Sequence, residues 1–181
     1  FSTGNITEKG YIQRKRLLVS GGIPIPKILP YKDLMHIINN VDIGELIPVG
    51  NLCKGVQMDV DGVYRNIETL LVSLAKFYLN TNCFRKPDGK LKWFGGEVGY
   101  FRVAVGGDGA PFGKWDESVS WLVSFLNVGP RVASPNDNFL LFGANCKETD
   151  EVVVQFCKLL AKECAEIERR SYTISGVNVK F

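Results

Sequence analysis

The sequence predicts an α+β chain: a mixed β-β-β-α-β sheet over 91–181, preceded by a mainly helical subdomain with extended stretches over 1–90. Three observations lead there. Runs rich in β-branched and aromatic residues recur at 100–105, 119–126 and 139–144, each bounded by glycine, proline or asparagine, which is how strands are punctuated. After them, Val153, Phe156, Cys157, Leu160, Cys164 and Ile167 repeat at steps of three and four, the spacing of an amphipathic helix. A last strand-like run, "SYTISGVNVKF", closes the chain at 171–181.

The first ninety residues read differently. Pro24, Pro26 and Pro30 make 17–31 an extended or linker stretch, since proline fixes φ and removes a donor. A short helix over 31–41 puts Leu34, Ile37 and Ile38 on one face, and Asn39-Asn40 and Gly44 end it. The main helix of this half spans 63–78, with Val63, Ile67, Leu70, Leu71, Leu74, Phe77 and Tyr78 forming a wide apolar stripe that Asn80 to Asn82 stop. "DVDG" at 59–62 is no calcium loop: the EF-hand needs glycine sixth and glutamate twelfth, where this chain has Gly62 fourth and Leu70 twelfth. Pro87-Asp88-Gly89 is a turn, and "LKWF" after it predicts a hairpin arm that pairs with the run at 100–105.

In the second half, 100–105 carries apolar residues toward both faces, which predicts a central strand flanked by 119–126 and by the strand near 172–181. The chain breaks at Gly106-Gly107, presents the carboxylate of Asp108, and breaks again at Gly109 and Pro111. A carboxylate at the mouth of a strand with nothing crowding it suits a divalent metal. The same Gly-Gly-Asp-Gly step is also ordinary turn chemistry, because both residue types tolerate positive φ. A phosphate-binding P-loop is excluded: Gly113-Lys114 would need a glycine where Asp108 stands and a hydroxyl where Trp115 stands. Asp116 and Glu117 are further acidic candidates past the turn. The helix over 150–170 takes Thr149 as its N-cap, with Asp150 and Glu151 in its first turn and Arg169 and Arg170 at its end.

With its Asp-Gly step in "VGGDG" and its later strand in "SGVNVKF", the stretch from Gly99 to Phe181 resembles the first half of the RNase H-like core of DNA transposases. It looks most like Transib-type transposases and the V(D)J recombinase catalytic subunit. The resemblance implies two-metal phosphodiester hydrolysis and strand transfer on DNA, with Mg²⁺ or Mn²⁺ as cofactor. It places Asp108 alone in a catalytic, metal-ligating role. The other acidic ligands of such families lie beyond the fourth strand, so these residues alone are expected to be inactive. The helical first half would then serve DNA binding or dimerisation. The alternative is a non-catalytic, domesticated RNase H-like module that binds nucleic acid or protein.

Composition sets outer bounds. The 181 residues are 45% hydrophobic and 11% aromatic, enough for a sizeable core. No run of eighteen apolar residues occurs, so no membrane span is expected. The missing initiator methionine and the abrupt end lead to the expectation that this is part of a longer protein; unpaired cysteines suit an intracellular, reducing setting, and the basic run in "QRKRLL" suits nuclear import. The five cysteines form no CxxC pair and have no histidine at zinc spacing, so they read as buried thiols. The "NIT" sequon at Asn5 has little weight without a secretory signal. The net charge of +3 neither demands nor excludes nucleic acid. Basic residues do cluster, as Arg14-Lys15-Arg16 and as Lys86, Lys90 and Lys92 beside Trp93, a basic-aromatic mixture that suits a phosphate backbone with stacked bases. Each cluster alone is also what a solvated surface looks like.

Overall fold

The computed structural model describes residues 8–21, 30–33, 42–53, 59–82, 90–112 and 116–181. The chain divides into two units, Phe1–Asp42 and Ile43–Phe181.

In the first unit, α1 spans Glu8–Ser20. Its Gln, Arg, Lys and Leu residues favour helix, and they override the extended reading of 17–20. The helix closes where Gly21 N donates to Leu17 O at 3.0 Å and Ser20 Oγ donates to the same carbonyl at 3.1 Å. Residues 31–33 are helical, and the ring of Tyr31 lies 5.7 Å from that of Tyr11. The rest of the helix expected over 31–41 and most of the proline-rich stretch lie outside the described residues.

The second unit is built on a five-stranded sheet in the order β1-β2-β5-β4-β3. Its strands are β1 (Ile47–Pro48), β2 (Gly62–Tyr64), β3 (Val103–Phe112), β4 (Asp116–Phe125) and β5 (Phe139–Ala144). Every neighbouring pair is antiparallel, so the expected mixed sheet is corrected to an antiparallel one. The expected central strand is corrected too: β3 is at the edge, and β4 and β5 are inside. Periodicity misleads here because, among the described residues of this unit, the helices cover one sheet face. Val119, Val123 and Phe125 of β4 are buried, whereas Leu122, 37% exposed, and Leu140 of β5, 41% exposed, lie open.

Two helices cover the buried face. α2 (Ile67–Asn82) buries Ile67, Leu70, Leu71, Leu74, Ala75 and Tyr78. It starts four residues later than its stripe suggested, because Val63 belongs to β2. Asn66 caps it, its Oδ1 accepting from Thr69 N at 2.9 Å. Since β2 pairs with β5 and α2 joins the same core, the residues from 47 to 82 belong with the second unit, and the division lies at Asp42 instead of near residue 90.

α3 (Glu151–Ile167) buries Val152, Val153, Phe156, Leu160 and Ile167, as the helical spacing predicts. Its N-cap is Asp150, one residue past the predicted Thr149, and the Asp150 carboxylate accepts from Lys147 N at 2.9 Å. The final strand-like run is a hairpin, β6 (Tyr172–Ile174) and β7 (Val177–Val179). Ser175 and Gly176 turn it at φ 52° and 77°, as a two-residue type I′ turn requires. The hairpin forms its own two-stranded sheet, and its link to the strand expected beside it is a single parallel bridge, Tyr100 to Lys180.

Glu163 of α3 joins the two helices. Its carboxylate accepts from Asn66 Nδ2 at 2.8 Å and from Ile67 N at 3.4 Å. Burial raises its pKa, and the nearby Glu68 and Glu166 add to this against the lowering by those two bonds. A carboxyl whose folded pKa is raised stabilises fully below its unfolded value, and that contribution fades as pH rises through the folded value. Melting curves should therefore show Glu163→Gln gaining on wild type from about pH 5 to 7 and converging with it below about pH 4. A glutamine variant that melts lower at pH 7 would show the two accepted bonds outweighing burial.

Candidate functional site

Asp108 lies in the middle of a ten-residue strand, not in a turn. The glycines around it have a structural reason other than positive φ. A Cβ at Gly107 would sit 2.4 Å from the Trp121 indole, and one at Gly109 would sit 2.7 Å from Glu148 Cγ. At Gly107 the indole leaves room for hydrogen alone, whereas at Gly109 a larger residue would have to push the flexible Glu148 side chain aside. Pro111 is tolerated because β3 is an edge strand.

The register fixes which way each side chain points. Asp108 is opposite Ser120, with Gly106 opposite Leu122 and Ala104 opposite Ser124. Successive strand residues face opposite sides. The even-numbered residues of β3 and β4 therefore share the face turned away from α2 and α3, and the odd-numbered Val119, Trp121, Val123 and Phe125 face those helices. On the open face Asp108 borders a groove of about 430 Å³ with Ala104, Gly106, Ser120, Leu122, Ser124 and Asn138. Asn138 holds the end of this groove: its Nδ2 donates to Val132 O at 3.0 Å and to Ser134 O at 2.7 Å, and its Oδ1 accepts from Ser124 Oγ. The alternation Ser118-Val119-Ser120-Trp121 is the sequence signal for this wet face.

Nearby acidic groups do not join Asp108. Glu148 accepts from Gly109 N at 2.6 Å, on the helix side of the strand. Glu117 is opposite Pro111, on that same side, with Lys147 Nζ 4.0 Å from its carboxylate. The backbone of Asp116 is opposite Phe112. Among the described residues, no three His, Cys, Asp or Glu residues gather where a metal ion would bind. Asp108 thus offers one carboxylate with hydroxyl and amide neighbours, and these residues do not fit a two-metal centre.

The expected nucleic-acid residues fall into separate places. Arg14 and Arg16 are exposed on α1 of the first unit, and Lys15 is half-buried there. Lys90 and Lys92 are exposed in the second unit, and Lys86 lies outside the described residues. Trp93 is half-buried and packs against the core of the second unit. Its ring meets Phe101 edge-on at 5.2 Å, and residues 90–99 form no hairpin arm. The buried Asn127 holds this segment instead. Its Nδ2 donates to Lys92 O at 2.8 Å and to Tyr100 O at 3.2 Å, its Oδ1 accepts from Arg102 N at 2.7 Å, and Lys92 N donates to its main-chain carbonyl at 2.8 Å. Arg102 itself stacks over Phe94, 4.8 Å from the ring centre.

Cys53 and Cys146 are buried and Cys157 and Cys164 half-buried, all as free thiols, while Cys83 lies outside the described residues. Burial pushes the thiols of Cys146, Cys157 and Cys164 up. Among the described residues, no helix is long and apolar enough to cross a membrane. No protein-family model matches the chain, and no curated protein matches it.

Proposed function

We propose that this chain contributes part of the catalytic core of a DNA transposase or transposase-derived recombinase, acting on DNA in the nucleus. The observation that carries the reading is the position of Asp108: an exposed carboxylate in mid-strand on the first of three consecutive antiparallel strands, beside small side chains. The order of elements that follows, strand, strand, helix and a return alongside Tyr100, agrees with the same reading, while the edge position of β3 departs from the central first strand that this reading expects. Asp108 would be the first acidic ligand for Mg²⁺ or Mn²⁺. Further carboxylates are required, because one charge does not hold two divalent ions. Arg14, Lys15, Arg16, Lys90 and Lys92 would supply phosphate contacts, and a homodimer would suit a two-ended DNA substrate.

The test is Asp108→Asn in the protein that contains these residues. The amide is nearly isosteric but neutral, so DNA cleavage in Mg²⁺ or Mn²⁺ is expected to disappear while folding and DNA affinity stay near wild type. Cleavage that survives would remove Asp108 from the chemistry. Replacing Arg14, Lys15 and Arg16 by alanine should weaken DNA binding and flatten its salt dependence by about one unit of log–log slope per lost phosphate contact. An unchanged slope would remove α1 from the interface.

The lack of a second carboxylate beside Asp108 among the described residues favours one other reading, a non-catalytic module that binds nucleic acid or protein. It predicts DNA binding without metal-dependent cleavage in that same protein.

A further inference from the structure

Phe94 is held where a bulky side chain rarely stands. Its φ is 50°, in the left-handed region, and Gly95 after it is at 78°. Gly96 N donates to Trp93 O at 2.8 Å and closes this turn. Trp93 packs inward, while Phe94 is 49% exposed with the guanidinium of Arg102 against its ring. The backbone beneath is clamped by the buried Asn127, which bonds to Lys92 O, Tyr100 O and Arg102 N. Lys92, Phe94 and Arg102 are thus all exposed on one fixed segment. Within 90–102 the cations Lys90, Lys92 and Arg102 outnumber the one acid, Glu97. Among the described residues, no carboxylate lies in ion-pair reach of Lys92 or Arg102.

Arg102 also stands at the start of the open sheet face. Its carbonyl accepts from Leu126 N, which continues the β3 register, so its side chain shares the side of Asp108. Between the two on that face are only Ala104 and Gly106, which keep the groove floor low. By the rise of an extended strand, Arg102 and Asp108 are roughly 20 Å apart.

We propose that Lys92, Phe94 and Arg102 form a landing site for an unpaired nucleic-acid strand, with a base stacked on Phe94 and phosphates on Lys92 and Arg102, at the entrance to the face that carries Asp108. The inference rests on the reading that this protein meets DNA. A cation against the ring and another two residues before it place phosphate contacts beside a stacking surface. Bases inside a duplex already have both faces stacked, so the ring requires an unpaired strand. A lipid surface would be met by apolar tips clear of charge, whereas here a guanidinium lies on the ring itself.

The test uses the 181-residue chain and a fluorescein-labelled oligothymidylate about twelve nucleotides long, read by fluorescence anisotropy. Binding is expected with a Kd on the order of 100 μM or tighter at physiological salt. Phe94→Leu should weaken it by about fivefold or more, as loss of one stacked base requires, without changing its salt dependence. An abasic strand of the same length should bind both proteins equally. Lys92→Ala should instead flatten the salt dependence by about 0.7 of a log–log unit. Glycine accepts the φ of this position, so Phe94→Gly provides the same comparison if the leucine variant does not fold. The contacts fall on base and phosphate, which DNA and RNA share; oligouridylate run alongside shows which strand binds tighter, and Phe94→Leu should weaken both. Equal affinity of wild type and Phe94→Leu for oligothymidylate, an equal loss on the abasic strand, or a loss seen only with phosphatidylserine vesicles would each overturn the proposal. Metal-dependent cleavage of duplex DNA with a strand affinity indifferent to Phe94 would sink this site and leave the transposase reading standing. Phe94-dependent strand binding without cleavage would do the reverse.

Discussion

Replacing Asp137 by alanine is expected to destabilise the second unit by about 2–4 kcal/mol, read from chemical denaturation. Asp137 is 2% exposed. Its carboxylate accepts from Tyr78 Oη at 2.6 Å and from Arg131 through Nε at 3.1 Å and Nη2 at 2.6 and 2.8 Å. Removing it leaves a buried phenol hydroxyl without its acceptor, which costs about 1–3 kcal/mol. The Arg131 side chain is 39% exposed and can turn to water, which keeps the loss below that of a fully buried pair. A loss under about 0.5 kcal/mol would mean that water replaces the carboxylate without penalty.

The same network has a pH signature. Burial pushes the Tyr78 phenol well up, its bond to Asp137 and that carboxylate's charge add to the rise, and Arg131 opposes it. A group with a raised folded pKa stabilises fully below its unfolded pKa, near 10 for tyrosine, and the contribution fades as pH rises above it. Stability should therefore fall above about pH 10, and Tyr78→Phe should flatten that part of the fall. An unchanged slope in the phenylalanine variant would move the titration to other groups.

None of this network was legible in the sequence. Tyr78 reads there as one more member of an apolar stripe and Asp137 as part of a polar loop, and 59 positions separate them. The local elements were legible because their causes are local. Val153, Phe156 and Leu160 mark α3 by spacing alone, and the β-branched runs mark β4 and β5. The errors share a tertiary cause. Gly106 and Gly107 read as a turn, yet Gly107 is needed because Trp121, across the sheet, lies against it. The apolar residues of β3 read as a central strand, but strand order is decided by pairing between distant segments, and β2 takes the far side of β5. Ser175-Gly176 did carry a local turn signal, and reading through it merged two short strands into one. At the candidate site, Asp108 was identifiable by residue type. Its face was not, because a turn and a mid-strand position present the carboxylate to different surroundings.

Phe156→Ala should cost about 3–5 kcal/mol, more than any other single truncation on α3. Phe156 is 2% exposed and joins three sheet aromatics to the helix. Its ring stacks on Phe142 with centroids 4.5 Å apart and meets Trp121 at 6.0 Å and Tyr64 at 6.3 Å, both edge-on. These partners come from β5, β4 and β2, so the ring bridges three strands at once. Alanine would lose the transfer energy of the ring and leave a space that strand-anchored aromatics cannot close. Phe156→Leu keeps most of the volume and should cost less than about 2 kcal/mol. Because Trp121 also covers Gly107, the cavity should loosen β3 around Asp108. Hydrogen exchange at 104–108 should then quicken more than exchange in β5. Equal costs for the alanine and leucine variants would mean that the aromatic contacts, more than the filled volume, hold α3 to the sheet.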